Sequence, residues 1–79
     1  MGVTAYSLLV IEPGALADVM TALRDEPDVV DAHHVMGAYD VVVKVRASTL
    51  NDLREFVFTE LRGLPGIRST TTLIAQTDL

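Results

Sequence analysis

Cysteine and tryptophan are absent from this 79-residue chain. Without cysteine there is no disulfide framework and no thiolate to hold zinc or an iron–sulfur cluster. A chain this short buries only about 60% of the surface that its unfolded form exposes, so such domains commonly rely on a disulfide, a metal or a partner subunit. Because 49% of the residues are hydrophobic, the composition favours self-association as the way to cover apolar surface.

Basic residues are scarce. Six lysines and arginines stand against eleven aspartates and glutamates, which gives a formal net charge of −5, and the six are scattered along the chain. Nucleic-acid affinity depends on a basic stripe facing the phosphates. Direct binding to DNA or RNA is therefore not expected, and an anionic membrane surface is disfavoured for the same reason.

Long hydrophobic runs are missing as well. The apolar N-terminal stretch ends at Glu12 and Pro13 after roughly nine residues, far short of the ~20 that a membrane span needs. It lacks a basic region and a small-residue cleavage site, so it predicts a strand rather than a signal peptide. With neither cysteine nor an export signal, a cytoplasmic location is expected.

What the chain does contain is a regular alternation of strand-like and helix-like segments. Strands are predicted at 4–11, 29–36, 41–45 and 67–75, where β-branched or alternating apolar residues dominate. Helices are predicted at 14–25 and 49–62, where apolar residues recur at helical spacing. The apolar stripe of the first consists of Leu16, Val19, Met20 and Leu23, and that of the second consists of Leu50, Leu53, Val57, Leu61 and Leu64. Ser48 or Thr49 suits the N-cap of the second helix, and Asp52 resembles the far member of a capping box.

The order βαββαβ predicts one α+β domain over residues 1–79, with a ferredoxin-like, four-stranded antiparallel sheet and two helices on one face. The opposite face should be polar in a monomer. Instead Tyr6, Leu8 and Val10 point that way in the first strand, and Val42 does so in the third. An apolar patch of several hundred Å² usually marks an interface, so we expect a two-fold homodimer through this face.

Three segments resemble the effector-binding domain of the leucine-responsive regulator (Lrp/AsnC) family. Residues 35–45, VMGAYDVVVKV, resemble the family's V-T-G-x-Y-D turn and the strand after it. Residues 64–74, LPGIRSTTTLI, resemble its G-V-x-x-T-x-T last strand, and Glu12-Pro13-Gly14 fits its first strand-to-helix turn. Met36 stands where the family usually has threonine, which removes a hydroxyl beside the turn.

The resemblance implies a dimeric α/β barrel of two sheets, assembled into an octamer or decamer ring. It implies a small-molecule effector, typically an amino acid, bound between neighbouring dimers, and it implies no cofactor. Full-length members carry an N-terminal helix-turn-helix domain. Because the chain begins at its first strand, we expect a stand-alone form that modulates transcription by assembling with full-length regulators.

Two groups of residues are candidates for the ligand site. The first is the turn Gly37-Ala38-Tyr39-Asp40, where glycine permits a positive φ, tyrosine offers a flat wall and aspartate offers a carboxylate to an α-amino group. A tight β-turn explains the same residues without a ligand.

The second group is Thr70 and Thr72, which strand alternation places on one face. The resemblance implies that their hydroxyls bind a ligand carboxylate, whereas β-propensity on an exposed edge strand is the simpler explanation.

No catalytic constellation is recognisable, and a non-enzymatic role is expected. His33 and His34 are adjacent, so they point to opposite faces and cannot chelate one metal ion; no metal site is predicted.

Two alternatives share the strand order: a small dimeric α/β-barrel enzyme of the monooxygenase or isomerase kind, and an ACT-type regulatory domain. The enzyme would need a roomy cavity lined by His, Asp or Arg, whereas these strands are rich in Val and Leu. The turn at Gly37 favours the Lrp/AsnC interpretation over the ACT one.

Overall fold

A computed structural model describes residues 2–76 and confirms the predicted order of elements. The elements are β1 Val3–Ile11, α1 Leu16–Arg24, β2 Val29–His34, β3 Val41–Ala47, α2 Leu50–Glu55, a π-helical continuation Phe56–Leu61 (the π segment) and β4 Ile67–Ile74. None of the helices in this part of the chain is long and apolar enough to span a bilayer.

The four strands form one antiparallel sheet in the order β2-β3-β1-β4. β1 and β3 lie at the centre, and β2 and β4 form the edges. Leu9 is paired with Val41 on one side and with Thr70 on the other. This register brings the end of the β2–β3 turn and the middle of β4 to the same end of β1.

The core lies between the sheet and the helices, as the alternation in the strands predicts. Its fully buried members come from β1, β3 and both helical segments: Ala5, Leu9, Val19, Leu23, Val41, Val43, Val45 and Leu61. Burying such aliphatic side chains contributes roughly 1.5–3 kcal/mol each. The predicted stripe of α1 is confirmed, because Val19 and Leu23 are buried and Leu16 and Met20 pack against the same core.

The second helix is less regular than predicted. Thr49 is its N-cap, as expected, and the Thr49 Oγ1 accepts a hydrogen bond of 3.1 Å from the Asp52 amide. Further along, the Arg62 amide donates to the Val57 carbonyl oxygen, five residues earlier, which is the π-helical spacing. The buried stripe also differs from the prediction. Phe56 joins the core, whereas Leu50, predicted to be part of that stripe, lies in the first turn of α2 and is 47% exposed.

Three predicted boundaries were wrong by two residues. β3 continues to Ala47 rather than ending at Val45. β2 ends at His34 rather than at Met36, because the Val35 amide already donates to the Asp40 carbonyl oxygen and closes the turn to β3. Met36 is consequently 98% exposed. α1 begins at Leu16 rather than at Gly14, since Gly14 has φ +83 and cannot belong to a right-handed helix.

The face of the sheet opposite the helices, called here the open face, carries apolar side chains in its middle. Tyr6, Leu8 and Val10 of β1 lie on it, with Val42 beside Leu8 and Leu73 beside Tyr6. Tyr6 is 40% and Leu73 55% exposed. Towards β2 the face becomes polar, with Lys44 in register with Asp31. The prediction that apolar residues lie on both faces of the sheet is confirmed.

Candidate functional site

The turn between β2 and β3 has the backbone form that the sequence predicted. Gly37 has φ +135, and a Cβ placed there would meet no atom within 4 Å. The space beside its backbone is therefore open. Ala38 is exposed, and Tyr39 is half-buried. Such a turn lets another molecule come close to the main chain at Gly37.

Asp40 has a structural role, because its carboxylate and its backbone amide are both hydrogen-bonded to β1. Its Oδ2 accepts a hydrogen bond of 2.8 Å from the Ile11 amide, and its own amide donates 2.9 Å to the Leu9 carbonyl oxygen. These bonds fix the turn to the end of β1. A carboxylate oxygen has more than one acceptor position, so the carboxylate remains able to accept further hydrogen bonds.

Thr70 and Thr72 lie on the helix-facing side of the edge strand β4, in register with Leu9 and Ser7. Both line a cavity of about 460 Å³ between β4 and the π segment. The Thr72 hydroxyl is 2.9 Å from the hydroxyl of the fully buried Ser7. Thr72 therefore satisfies a buried polar group, and Thr70 is the less committed of the two hydroxyls.

Two arginines border the same cavity. Arg68 donates to both carboxylate oxygens of Glu12, at 3.2 and 3.1 Å. These bonds and the charge of Glu12 raise the pKa of Arg68, and the charge of Asp40 adds to the effect. Arg62 lies over the Phe58 ring, with its guanidinium carbon 5.9 Å from the ring centroid.

The structure therefore places the two predicted groups near one end of β1 but not in one cavity. Asp40 lines a smaller cavity of about 180 Å³ with Glu12 and His34, whereas Thr70 and Thr72 line the larger one. β1 separates them, and two strand spacings amount to roughly 10 Å. Arg68 connects the two groups of residues most closely, because it borders the larger cavity and the charge of Asp40 contributes to raising its pKa.

Phe58 and Arg62 were not singled out from the sequence. The one available signal is their spacing of four residues on a helix, which puts an aromatic ring and a cation side by side. Nothing in the sequence indicates that they face β4, because that contact depends on how the helix packs against the sheet.

The two histidines point to opposite faces, as predicted. His33 lies on the open face beside Val42, with its Nε2 3.0 Å from Asp31 Oδ2, and His34 is in register with Val41. Among residues 2–76, no group of three or more histidine, aspartate or glutamate side chains is placed to hold a metal ion.

Comparison with known proteins identifies the family. The profile of the "Lrp/AsnC ligand binding domain" matches residues 4–78. The chain belongs to the Lrp/AsnC family. Membership decides between the Lrp/AsnC and ACT interpretations in favour of the first. It also makes this chain a ligand-binding domain of the kind found in transcriptional regulators.

Individual relatives agree with this assignment. The HTH-type transcriptional regulator FL11 of Pyrococcus horikoshii is 32% identical over 71 residues, covering 89% of this chain and 46% of that protein. The crystal structure of FFRP-DM1 is 42% identical, with a TM-score of 0.90 over 92% of this chain and 97% of that one. The chain spans about half the length of the curated relatives it matches.

A more distant structure shares the fold alone. The transcriptional regulator NMB0573 of Neisseria meningitidis, solved as an L-Met complex, has a TM-score of 0.90 at 18% identity, over 98% of this chain and 51% of that one. The curated relatives include FL11 and the proline dehydrogenase transcriptional activator of Rhizobium radiobacter, and both are named as regulators of transcription.

Proposed function

We propose that this domain binds an amino acid as its effector and modulates transcription by assembling with full-length Lrp/AsnC regulators. The observation that carries the proposal is the match of residues 4–78 to the family's ligand-binding domain. The regulator solved with L-Met shows that a protein of this fold accommodates an amino acid. The open turn at Gly37 and the hydroxyl-lined cavity at Thr70 supply groups suited to such a ligand.

The arrangement of these groups favours a site shared between copies. The turn and the Thr70 cavity are separated by β1 on one chain. We therefore propose that the turn of one dimer faces the cavity of the next. Asp40 would then accept from the ligand's ammonium group, and Thr70 and Thr72 would donate to its carboxylate. A closed octamer or decamer ring of dimers provides such an interface at every junction.

The dimers themselves form through the open face in this proposal. Tyr6 and Leu73 remain substantially exposed in the single chain, and they adjoin Leu8, Val10 and Val42. Covering an apolar stripe of this kind with the same stripe of a second copy gives a two-fold, self-complementary interface.

Thermal denaturation in the presence of each of the twenty amino acids tests the ligand. Binding stabilises the folded state by RT ln(1 + [L]/Kd), about 2.7 kcal/mol at ~100 times Kd. The informative variant is Asp40→Asn, because its amide oxygen can still accept from the Ile11 amide while the negative charge is lost. We expect Asp40→Asn to keep its Tm without ligand and to lose most of the shift with ligand.

Adjacent threonines on β4 provide a matched control for the cavity. Thr70 lies on the helix-facing side, and Thr71 lies on the open face beside Leu8. Thr70→Val should weaken the ligand-induced shift, and Thr71→Val should leave it unchanged. If no amino acid raises the Tm, or if both variants behave like the wild type, the proposed site is wrong.

Assembly with regulators is tested separately. The domain is mixed with a full-length Lrp/AsnC protein from the same genome, with and without the amino acid that raises the Tm. A mixed complex in size-exclusion chromatography is expected. Persistent separation of the two proteins under both conditions would exclude this part of the proposal.

A further inference from the structure

The cleft between the π segment and β4, called here the groove, has two ends of different character. Its polar end is the cavity of about 460 Å³, bordered by Arg62, Arg68, Ser69 and Thr70. Its apolar end is an adjoining cavity of about 240 Å³, bordered by Leu53, Phe58 and Ile74. Val57, Phe58 and Thr72 line both cavities, so the two form one elongated cleft.

Phe58 and Ile74 leave apolar surface of the groove exposed to solvent. Phe58 is 59% and Ile74 41% exposed. Ligand pockets are mostly apolar with a few polar groups that fix orientation. The groove has this division along its length, since hydroxyls and guanidiniums stand at one end and aliphatic and aromatic side chains at the other.

Among residues 2–76, the charged side chains that line the groove are all of one sign. Arg54, Arg62 and Arg68 line its two cavities, and no aspartate or glutamate of this part of the chain does. Arg68 is bound to both oxygens of Glu12. Arg62 makes no salt bridge within residues 2–76, and it lies beside Thr70 along the polar end. The guanidinium of Arg62 is therefore the one best able to receive a carboxylate there.

We infer that the groove determines which amino acid the site accepts, and that it selects an apolar side chain. The ligand's α-carboxylate lies at Arg62 and Thr70, and its side chain lies against Phe58, Leu53 and Ile74. A cationic side chain would lose its hydration at the apolar end and meet Arg54 there with no carboxylate to pair with, so lysine and arginine are rejected. This inference rests on the proposed amino-acid site.

Norleucine and lysine are a matched pair of probes, because both carry an unbranched four-carbon side chain and lysine adds only the terminal ammonium. Isothermal titration of the full chain should show norleucine binding at least tenfold more tightly than lysine. Glutamate, which tests whether the arginines prefer a second carboxylate, should also bind at least tenfold more weakly than norleucine. Equal or tighter binding of lysine or glutamate would overturn the inference.

A charge reversal at Arg62 tests where the carboxylate lies. Arg62→Glu should weaken norleucine binding at least tenfold, and Arg24→Glu, the same change on the exposed surface of α1, should leave it unchanged. Both side chains are exposed, so the fold is expected to be kept, which circular dichroism checks. Wild-type affinity in Arg62→Glu would contradict the assignment.

The outcomes separate this inference from the proposed function. Lysine binding that is lost in Asp40→Asn would uphold an amino-acid site and overturn the selection by the groove. Norleucine binding that is lost in both Asp40→Asn and Arg62→Glu would support both the amino-acid site and the selection by the groove. The absence of binding by every amino acid would overturn both.

Discussion

Leu8 and Leu9 are neighbours on β1, yet they meet opposite surroundings. Leu9 is fully buried beneath the helices, whereas Leu8 is half-buried on the open face. One strand thus serves two purposes in alternate residues. Its helix-facing side chains hold the domain together, and its open-face side chains are available to a second copy. Mutations on the helix-facing side are therefore expected to change the stability of the fold, and mutations on the open face are expected to change assembly.

The largest expected loss of stability comes from shortening a buried side chain on the helix-facing side of β1. Leu9→Ala should lower the free energy of unfolding by about 2–5 kcal/mol, because it leaves a cavity among well-packed side chains. Small domains have only about 5–15 kcal/mol in total, so this single change should remove a large share of the stability. Urea denaturation followed by circular dichroism measures the loss.

Leu8→Ala is the control on the other face. Its midpoint in urea should fall below that of the wild type only at protein concentrations high enough for the wild type to associate, because the affected contact would lie between copies and association stabilises the fold by mass action. A loss as large as that of Leu9→Ala and independent of concentration would mean that the two faces do not differ in the way proposed.

A smaller loss of stability is expected from a substitution at Gly66, which precedes β4 and packs against the start of α1. Gly66 has φ +94, and a Cβ placed there would lie 2.7 Å from the Ala15 Cβ and 3.1 Å from the Val19 Cγ2. Gly66→Ala should cost about 1–3 kcal/mol through backbone strain and crowding. Gly14→Ala is the matched control, since Gly14 has φ +83 with nothing within 4 Å. The control should cost less, and equal losses would show that crowding against α1 adds nothing.

The smallest effect on stability is expected from the pair of carboxyl groups of Glu26 and Glu60. Burial raises the pKa of Glu26, and the Glu60 carboxylate raises it further through its charge and a hydrogen bond. A raised carboxyl pKa gives stability that is complete at low pH and lost as pH rises through the raised value. Glu60→Gln should therefore stabilise the protein at neutral pH, by about 0.5 kcal/mol or less, because Glu60 is exposed and Glu26 is only partly buried.

The benefit of Glu60→Gln should shrink as the pH falls through the pKa of Glu26. Thermal denaturation at a series of pH values measures this, with Glu55→Gln on α2 as the control for loss of one negative charge. A benefit that persists unchanged in acid would show that the two carboxylates do not interact.

Most of the fold was predictable because its signals are local. Alternation in β1 and β3, the apolar stripe of α1 and the cap at Thr49 each depend on residues a few positions apart, and each is confirmed. The π segment was not predictable from the same rules. The exposure of Leu50 and the burial of Phe56 depend on how the helix packs across the sheet, which residue spacing along the chain does not encode.

The candidate site was predictable only in its parts. The positive φ at Gly37 follows from glycine in a tight turn, and the shared face of Thr70 and Thr72 follows from strand alternation. The sequence did not indicate that Asp40 binds the Ile11 amide or that Phe58 and Arg62 face β4. The Ile11–Asp40 bond joins residues 29 positions apart, and both contacts exist only once the sheet order is set.

Sedimentation velocity of the wild type and of Leu8→Lys at ~10 μM tests the assignment of the open face most directly. The wild type should sediment as a dimer or a larger assembly. Leu8→Lys should sediment as a folded monomer, because a charge placed on the stripe would be buried without a partner. A wild-type protein that stays a folded monomer at this concentration would contradict the account.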